Sequence, residues 1–224
     1  MIKDWIVDNG LWLLLALAGV VTVLWLWALR ARLSLGRPAA VLLSILHLVC
    51  GVACVKVFAV IETGGASAGG AMSLFGAVFF MPVLYYAGAK LSGRRMSEVC
   101  DIFGIAMIVT LFFARINCLI AGCCKGLPIP GLEPARWPTR EAELVFYVVF
   151  LARMAPKAAR AETRGVVYPV YMIAYGIFRF VTEFFRAGSR GVLHPAHLWA
   201  FLAIAAGAGI LGEMNSRKNR EVGR

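Results

Sequence analysis

Residues 11–29 read Leu11-Trp-Leu-Leu-Leu-Ala-Leu-Ala-Gly-Val-Val-Thr-Val-Leu-Trp-Leu-Trp-Ala-Leu29, a run without a single charged side chain. A helix that crosses the hydrocarbon core of a bilayer needs about 20 mainly apolar residues, and one that is apolar on all faces has no side to offer water. No small-residue cleavage site follows the run, so it is expected to stay in place as a helix. Six more apolar stretches come after it. The hydropathy predicts spans near Trp5–Leu29, Pro38–Ile61, Ala71–Ala89, Val99–Ile120, Glu143–Ala152, Val166–Phe185 and Pro195–Leu211. The fifth is short and either begins earlier, near Thr139, or is tilted or re-entrant. Across all 224 residues 61% are hydrophobic and 16% charged, against about 45–50% and about 25% in soluble domains. The expectation is an all-α integral membrane protein of about seven spans, with residues 1–224 forming one transmembrane domain and no room for a soluble one.

The net charge of +11 could suggest a nucleic-acid partner, but its distribution excludes one. Basic residues gather in alternate loops: Arg30, Arg32 and Arg37; Lys90, Arg94 and Arg95; Arg153, Lys157, Arg160 and Arg164; Arg217, Lys218, Arg220 and Arg224. Cytoplasmic loops carry such an excess. All four clusters fall on one side only if seven spans start with the N-terminus outside and end with the C-terminus in the cytoplasm, residues 213–224 forming a charged, solvated tail there. The opposite side then holds the loops Gly64–Gly70, Gly122–Arg140 and Arg186–His194.

The sixth span carries Tyr175-Gly-Ile-Phe-Arg179-Phe-Val-Thr-Glu183-Phe-Phe-Arg186. Tyr175, Arg179, Glu183 and Arg186 share one helical face. A charge at mid-membrane costs about 2.5–3.5 kcal/mol even on the mild insertion scale, so Arg179 should face the bundle and pair with Glu183 one turn on. Two readings are open here: an internal ion pair bracing the bundle, or a polar pocket that holds an anion with arginines and keeps a carboxylate for electrostatic or proton-transfer work. The fourth span carries Arg115 in Arg115-Ile-Asn-Cys118-Leu-Ile-Ala-Gly122-Cys123-Cys124-Lys125. It either snorkels to the interface or binds a lipid phosphate, with Lys125, Arg136 and Arg140 adding positive charge nearby.

Adjacent Cys123 and Cys124 suit packing, a vicinal disulfide, a soft-metal site or a nucleophile. With no second Cys or His pair at zinc spacing, no metal and no cofactor is expected. Cys50, Cys54, Cys100 and Cys118 read as packing residues. His194 and His197 at the start of the seventh span are helix-end residues or a general base; His47 and Lys56 read as buried polar groups, with Glu62 as the acceptor for Lys56.

The sixth-span motif closely resembles the signature of bacterial prolipoprotein diacylglyceryl transferases. Arg115-x-x-Cys118-x-x-x-Gly122 is similar to the centre of that family's Gly-Arg-x-Gly-Asn-Phe-x-Asn-Gly-Glu motif. Trp137-Pro-Thr-Arg-Glu-Ala-Glu143 stands where the family has His-Pro-Ser-Gln-Leu-Tyr-Glu, Asp101 matches an acidic residue of the fourth span, and Ser73-Leu-Phe-Gly76 resembles Ser-Phe-His-Gly. The resemblance covers about Gly69 to Leu211. It implies an enzyme of the bacterial cytoplasmic (inner) membrane. Such an enzyme moves diacylglyceryl from phosphatidylglycerol, or another anionic phospholipid, to the lipobox cysteine of a prolipoprotein, releasing glycerol phosphate. Arg115 and Arg179 would hold the phosphate, Glu183 would orient Arg179, and Glu143, Tyr175, Arg186, Cys118, Gly122 and Cys124 would line or support the substrate site. The family histidines are replaced by Phe75 and Trp137, and its Asn and Glu by Cys118 and Cys123. His194, His197, Cys123 and Cys124 remain as groups that could take a proton from an acceptor thiol. Two other readings fit the scaffold: a membrane thiol or redox protein using Cys123 and Cys124, and a non-catalytic lipid-binding or transport protein.

Overall fold

A computed structural model describes residues 2–65, 72–187 and 194–222. Parts of two expected outer loops, 66–71 and 188–193, lie outside the described residues. The described residues form seven helices: α1 (Ile2–Leu29), α2 (Arg37–Glu62), α3 (Phe75–Ser92), α4 (Met96–Ile120), α5 (Thr139–Ala159), α6 (Val167–Glu183) and α7 (Pro195–Val222). Among them α1 from Asn9, α2, α3, α4 and α7 to Arg217 are long and apolar enough to cross a membrane. The chain is an all-α membrane protein. α5 and α6 fall short of that measure, α6 because it has 17 residues and α5 because charged side chains interrupt it. These two carry most of the polar chemistry described below.

α4 is the axis. It packs against α1, α2, α3, α5 and α6, and 67% of its apolar stretch is buried, against 22% for α1 and α2. The exposed faces of the outer helices are rich in Leu, Val, Ile and Trp, a surface that water would not tolerate at this extent. Inside, Tyr147, Tyr168, Tyr171 and Tyr175 are fully buried, and Tyr171 stacks on Tyr175 with ring centroids 5.3 Å apart. The Trp25 indole N–H donates to the Ile102 carbonyl at 2.9 Å, joining α1 to α4.

α6 is fixed at its start by a carboxylate from another helix. Asp101 on α4 is 1% exposed and accepts hydrogen bonds from the Thr163 hydroxyl (2.6 Å) and from the backbone N–H groups of Gly165 (2.7 Å) and Val167 (3.2 Å). The first N–H groups of a helix have no partner within it, and an anion there also opposes the positive end of the helix dipole. At the same end of the bundle Arg32, beyond α1, pairs with Glu98 on α4 and donates to the Ala158 carbonyl on α5.

Several expectations need correcting. α5 takes the earlier start expected near Thr139 and runs 21 residues to Ala159, beyond the Glu143–Ala152 apolar stretch, because backbone hydrogen bonding continues through Arg140 and Glu141, where hydropathy stops. α7 likewise does not end at Leu211 but continues as helix to Val222, with an i,i+4 pair of Glu213 and Arg217 at 2.7 Å on the exposed surface. Lys56 is exposed rather than buried, and no ion pair joins it to Glu62 among the described residues. His47 is buried as expected, stacked on Tyr85.

Candidate functional site

The site grows from the place where α4, α5 and α6 converge. Arg115 lies in the last turns of α4, where an unpaired guanidinium could reach the interface only by snorkelling. It does not snorkel: it is 4% exposed, and its Nη2 donates to Oε1 of Glu143 on α5 at 2.7 Å. The same Glu143 oxygen accepts from the hydroxyls of Tyr147 (3.3 Å) and Tyr175 (3.2 Å). One carboxylate oxygen therefore gathers three donors from three helices, which compensates for the cost of burying the charge. Nε of Arg115 is buried without a hydrogen-bond partner.

α6 supplies the second arginine. Arg179 Nη1 is 2.8 Å from Glu183 Oε2, one helical turn on, and its guanidinium carbon lies 5.9 Å from the centroid of the Phe75 ring. Arg186 Nη1 is 3.9 Å from the same Glu183 oxygen, and His194 Nδ1 is 3.7 Å from the other.

A cavity of about 190 Å³, mouth included, is lined by Arg115, Arg140, Arg179, Arg186, Glu143 and Thr182, with Thr139 and Cys124 completing it. Four guanidiniums face one lining carboxylate; Glu183 pairs with Arg179 and Glu141 with Arg140 (3.3 Å) from outside the lining, and the positive charge that remains in this part-buried space suits an anion. A second, apolar cavity of about 490 Å³, mouth included, lies among α1–α4, lined by residues that include Leu15, Val55, Met81, Met107 and Ala114. The neighbours Ala114 and Arg115 thus border one cavity each.

An ordered cap forms the mouth. The loop after α4 pairs with the end of α6 through Leu127 N–H to Phe185 C=O (2.8 Å) and Ala187 N–H to Lys125 C=O (2.9 Å), and folds on itself through Trp137 N–H to Leu127 C=O (2.9 Å). Trp137 packs on Phe185 with centroids 4.7 Å apart. Only glycine fits at position 126, since a Cβ there would stand 2.1 Å from the Trp137 carbonyl oxygen. The chain reverses into this cap at Gly122, whose φ of +68° is one that residues with a Cβ rarely adopt.

The turn brings three thiols together. The Sγ atoms of Cys118, Cys123 and Cys124 all lie within 4.8 Å of one another. Cys123 is exposed, the other two are half-buried, and Arg186 Nη2 donates to Cys124 Sγ at 3.0 Å. Hydrogen bonding with Cys118, then the charges of Arg186 and Arg115, hold the Cys124 thiol well below the ordinary thiol range, while burial and the neighbouring Cys124 push Cys123 up.

Of the residues singled out from sequence, Arg115, Arg179, Arg186, Glu143 and Cys124 line one cavity. Glu183 stands behind it as the partner of Arg179, and Tyr175 behind it as a donor to Glu143. Cys118, Gly122 and Cys123 form the adjoining thiol turn. His197 is not brought to the cavity: it is 3% exposed, packs on Phe180 and Phe184, and its Nδ1 accepts from the His194 N–H at 3.1 Å. Sequence reasoning passed over Tyr147, although its i+4 spacing from Glu143 on a helix was there to be read.

A family model described as prolipoprotein diacylglyceryl transferase matches residues 10–212. Curated relatives include the phosphatidylglycerol–prolipoprotein diacylglyceryl transferase of Clostridium tetani, 26% identical over 131 residues and covering 53% of each chain. That of Methylibium petroleiphilum is 29% identical over 149 residues, covering 58% of this chain and 52% of the relative. The chain spans about half the length of the curated relatives it matches. With the family match running through all seven helices, the chain belongs to the prolipoprotein diacylglyceryl transferase family.

Proposed function

We propose that this chain is a phospholipid-dependent transferase of the bacterial cytoplasmic membrane, moving the diacylglyceryl group of phosphatidylglycerol to the lipobox cysteine thiol of a prolipoprotein. The observation that carries the reading is the convergence of Arg115, Arg140, Arg179 and Arg186 on one cavity, with a separate apolar cavity among α1–α4. An anionic headgroup with acyl chains attached has that pair of chemistries. In this reading the acyl chains lie against α1–α4, and Arg115 and Arg179 hold the phosphate. As the glyceryl carbon–oxygen bond breaks, charge grows on the departing phosphate, and guanidiniums already in position stabilise it without reorganising. Glu183 fixes the rotamer of Arg179, and Glu143 with Tyr147 and Tyr175 fixes that of Arg115. Arg140 and Arg186 draw the anion to the mouth.

The alternate basic loops support a topology with the N-terminus outside and the C-terminal tail in the cytoplasm, which puts this cavity on the extracytoplasmic side. Purified chain incubated with headgroup-labelled phosphatidylglycerol and a lipobox peptide should release labelled glycerol phosphate and yield a thioether-linked peptide. Absence of headgroup release with any thiol acceptor overturns the reading.

A further inference from the structure

We propose that Cys118, Cys123 and Cys124 hold one Zn2+ ion, and that its open fourth position is where the acceptor thiol loses its proton. The first half stands on the thiol turn alone; the second rests on the transferase reading.

The three sulfurs are mutually within 4.8 Å. Tetrahedral Zn–S bonds of about 2.3 Å require sulfurs about 3.8 Å apart, so rotations that move each sulfur by less than about 1 Å close the site. Cys118 is not spaced from Cys123 and Cys124 as a zinc pair; it sits just before the end of α4 and is met again when the chain reverses at Gly122. Cys124 itself has a φ of +56°, in a region that costs an L-residue about 1–2 kcal/mol. Such strain persists where surrounding structure holds it, commonly at functional sites.

The surroundings suit thiolates. Arg186 donates to Cys124 Sγ at 3.0 Å, and Arg140 Nη1 lies 3.5 Å from the Cys123 carbonyl oxygen. Three thiolates on Zn2+ leave one negative charge, which these guanidiniums offset, and hydrogen bonds to ligating sulfur orient and tune a metal. Cys123 is exposed, giving the ion a way in. Three protein ligands and one open position is the composition of a catalytic zinc site.

The open position answers a need of the reaction. A thiolate is the nucleophile, and a free cysteine titrates near 8.5. No histidine lines the arginine cavity among the described residues. Cys124 does line it, so an ion on Cys124 borders the place assigned to the phosphate. An acceptor thiol that coordinates Zn2+ is deprotonated by the ion; its proton passes to water at the exposed loop. The sulfur then attacks the glyceryl carbon that bears the phosphate. The C–S bond forms, the C–O bond breaks, and the electron pair leaves on glycerol phosphate, with no oxidant or reductant involved.

The test uses the full-length chain, stripped with a chelator in detergent and titrated with Co2+ and with Zn2+. One equivalent of Co2+ should give thiolate-to-cobalt charge-transfer bands, and Zn2+ should displace it. Each of Cys118→Ser, Cys123→Ser and Cys124→Ser should weaken binding by about tenfold or more, while Cys50→Ser should not change it. Lack of thiolate bands in the unmutated chain, or their persistence in the triple variant, overturns the metal site. Headgroup release that stops on stripping and returns with Zn2+ supports thiol activation. Undiminished release from metal-free protein overturns activation and leaves the transferase reading standing. Bands without release from any acceptor support the metal site and overturn activation together with the transferase reading.

Discussion

Arg115 of α4 and Glu143 of α5 form an ion pair at 2.7 Å with both side chains 4% exposed. Glu143→Ala leaves a buried guanidinium with no counter-charge, and Arg115→Ala leaves the carboxylate alone; breaking a buried pair from either side costs about 3–5 kcal/mol. Both variants should unfold at clearly lower temperature in detergent. The double variant should cost less than the sum, which a thermal double-mutant cycle measures directly.

Arg179→Lys keeps the charge but not the planar guanidinium fork, the geometry suited to two phosphate oxygens. If Arg179 acts on the departing phosphate, headgroup release should fall by about 10²–10³, the usual loss for one donor to developing charge. The melting temperature should move much less, since a lysine can still pair with Glu183. A release rate within a factor of two of the parent would remove Arg179 from the reaction.

Gly126→Ala places a methyl group against the Trp137 carbonyl. Overpacking of this kind costs about 1–3 kcal/mol, and here it should open the cap rather than the bundle. Limited proteolysis should cut between residues 127 and 137 in the variant and spare that segment in the parent.

Asp101→Ala strips three donors at the start of α6 of their acceptor. Each unsatisfied buried donor costs about 1–3 kcal/mol, so this change should destabilise more than any substitution on the exposed faces. Hydrogen exchange should rise first at the amides of Gly165 and Val167.

The fold was legible wherever chemistry repeats along the chain. Unbroken apolar runs mark α1, α2 and α4, and the spacing of Tyr175, Arg179, Glu183 and Arg186 marks the inner face of α6. Hydropathy failed at the ends of α5 and α7, because helical hydrogen bonding does not stop where side chains become polar. The pairing of Arg179 with Glu183 follows from a physical rule, that buried charge seeks a partner, but the rule says nothing of Glu143 serving Arg115, and the meeting of Arg115 with Arg179 was implied only by the family resemblance. The cap was illegible because backbone bonds between residues 127 and 185 leave no side-chain signature. The meeting of Cys118 with Cys123 and Cys124 depends on one left-handed turn at Gly122, and spacing rules written for zinc pairs do not cover it.

α6 is held at both ends by protein, by Asp101 at its start and by the strand-like contacts of Lys125 and Leu127 at its finish. Its arginine therefore keeps a constant depth relative to α4 and α5, whatever the thickness of the surrounding bilayer. Mismatch between lipid and helix is absorbed by tilting, by deforming the bilayer or by moving flanking side chains, each at modest cost. With α6 clamped, that adjustment falls on the lipid-facing outer helices and on the lipid, and the geometry of the arginine cavity is insulated from changes in membrane composition.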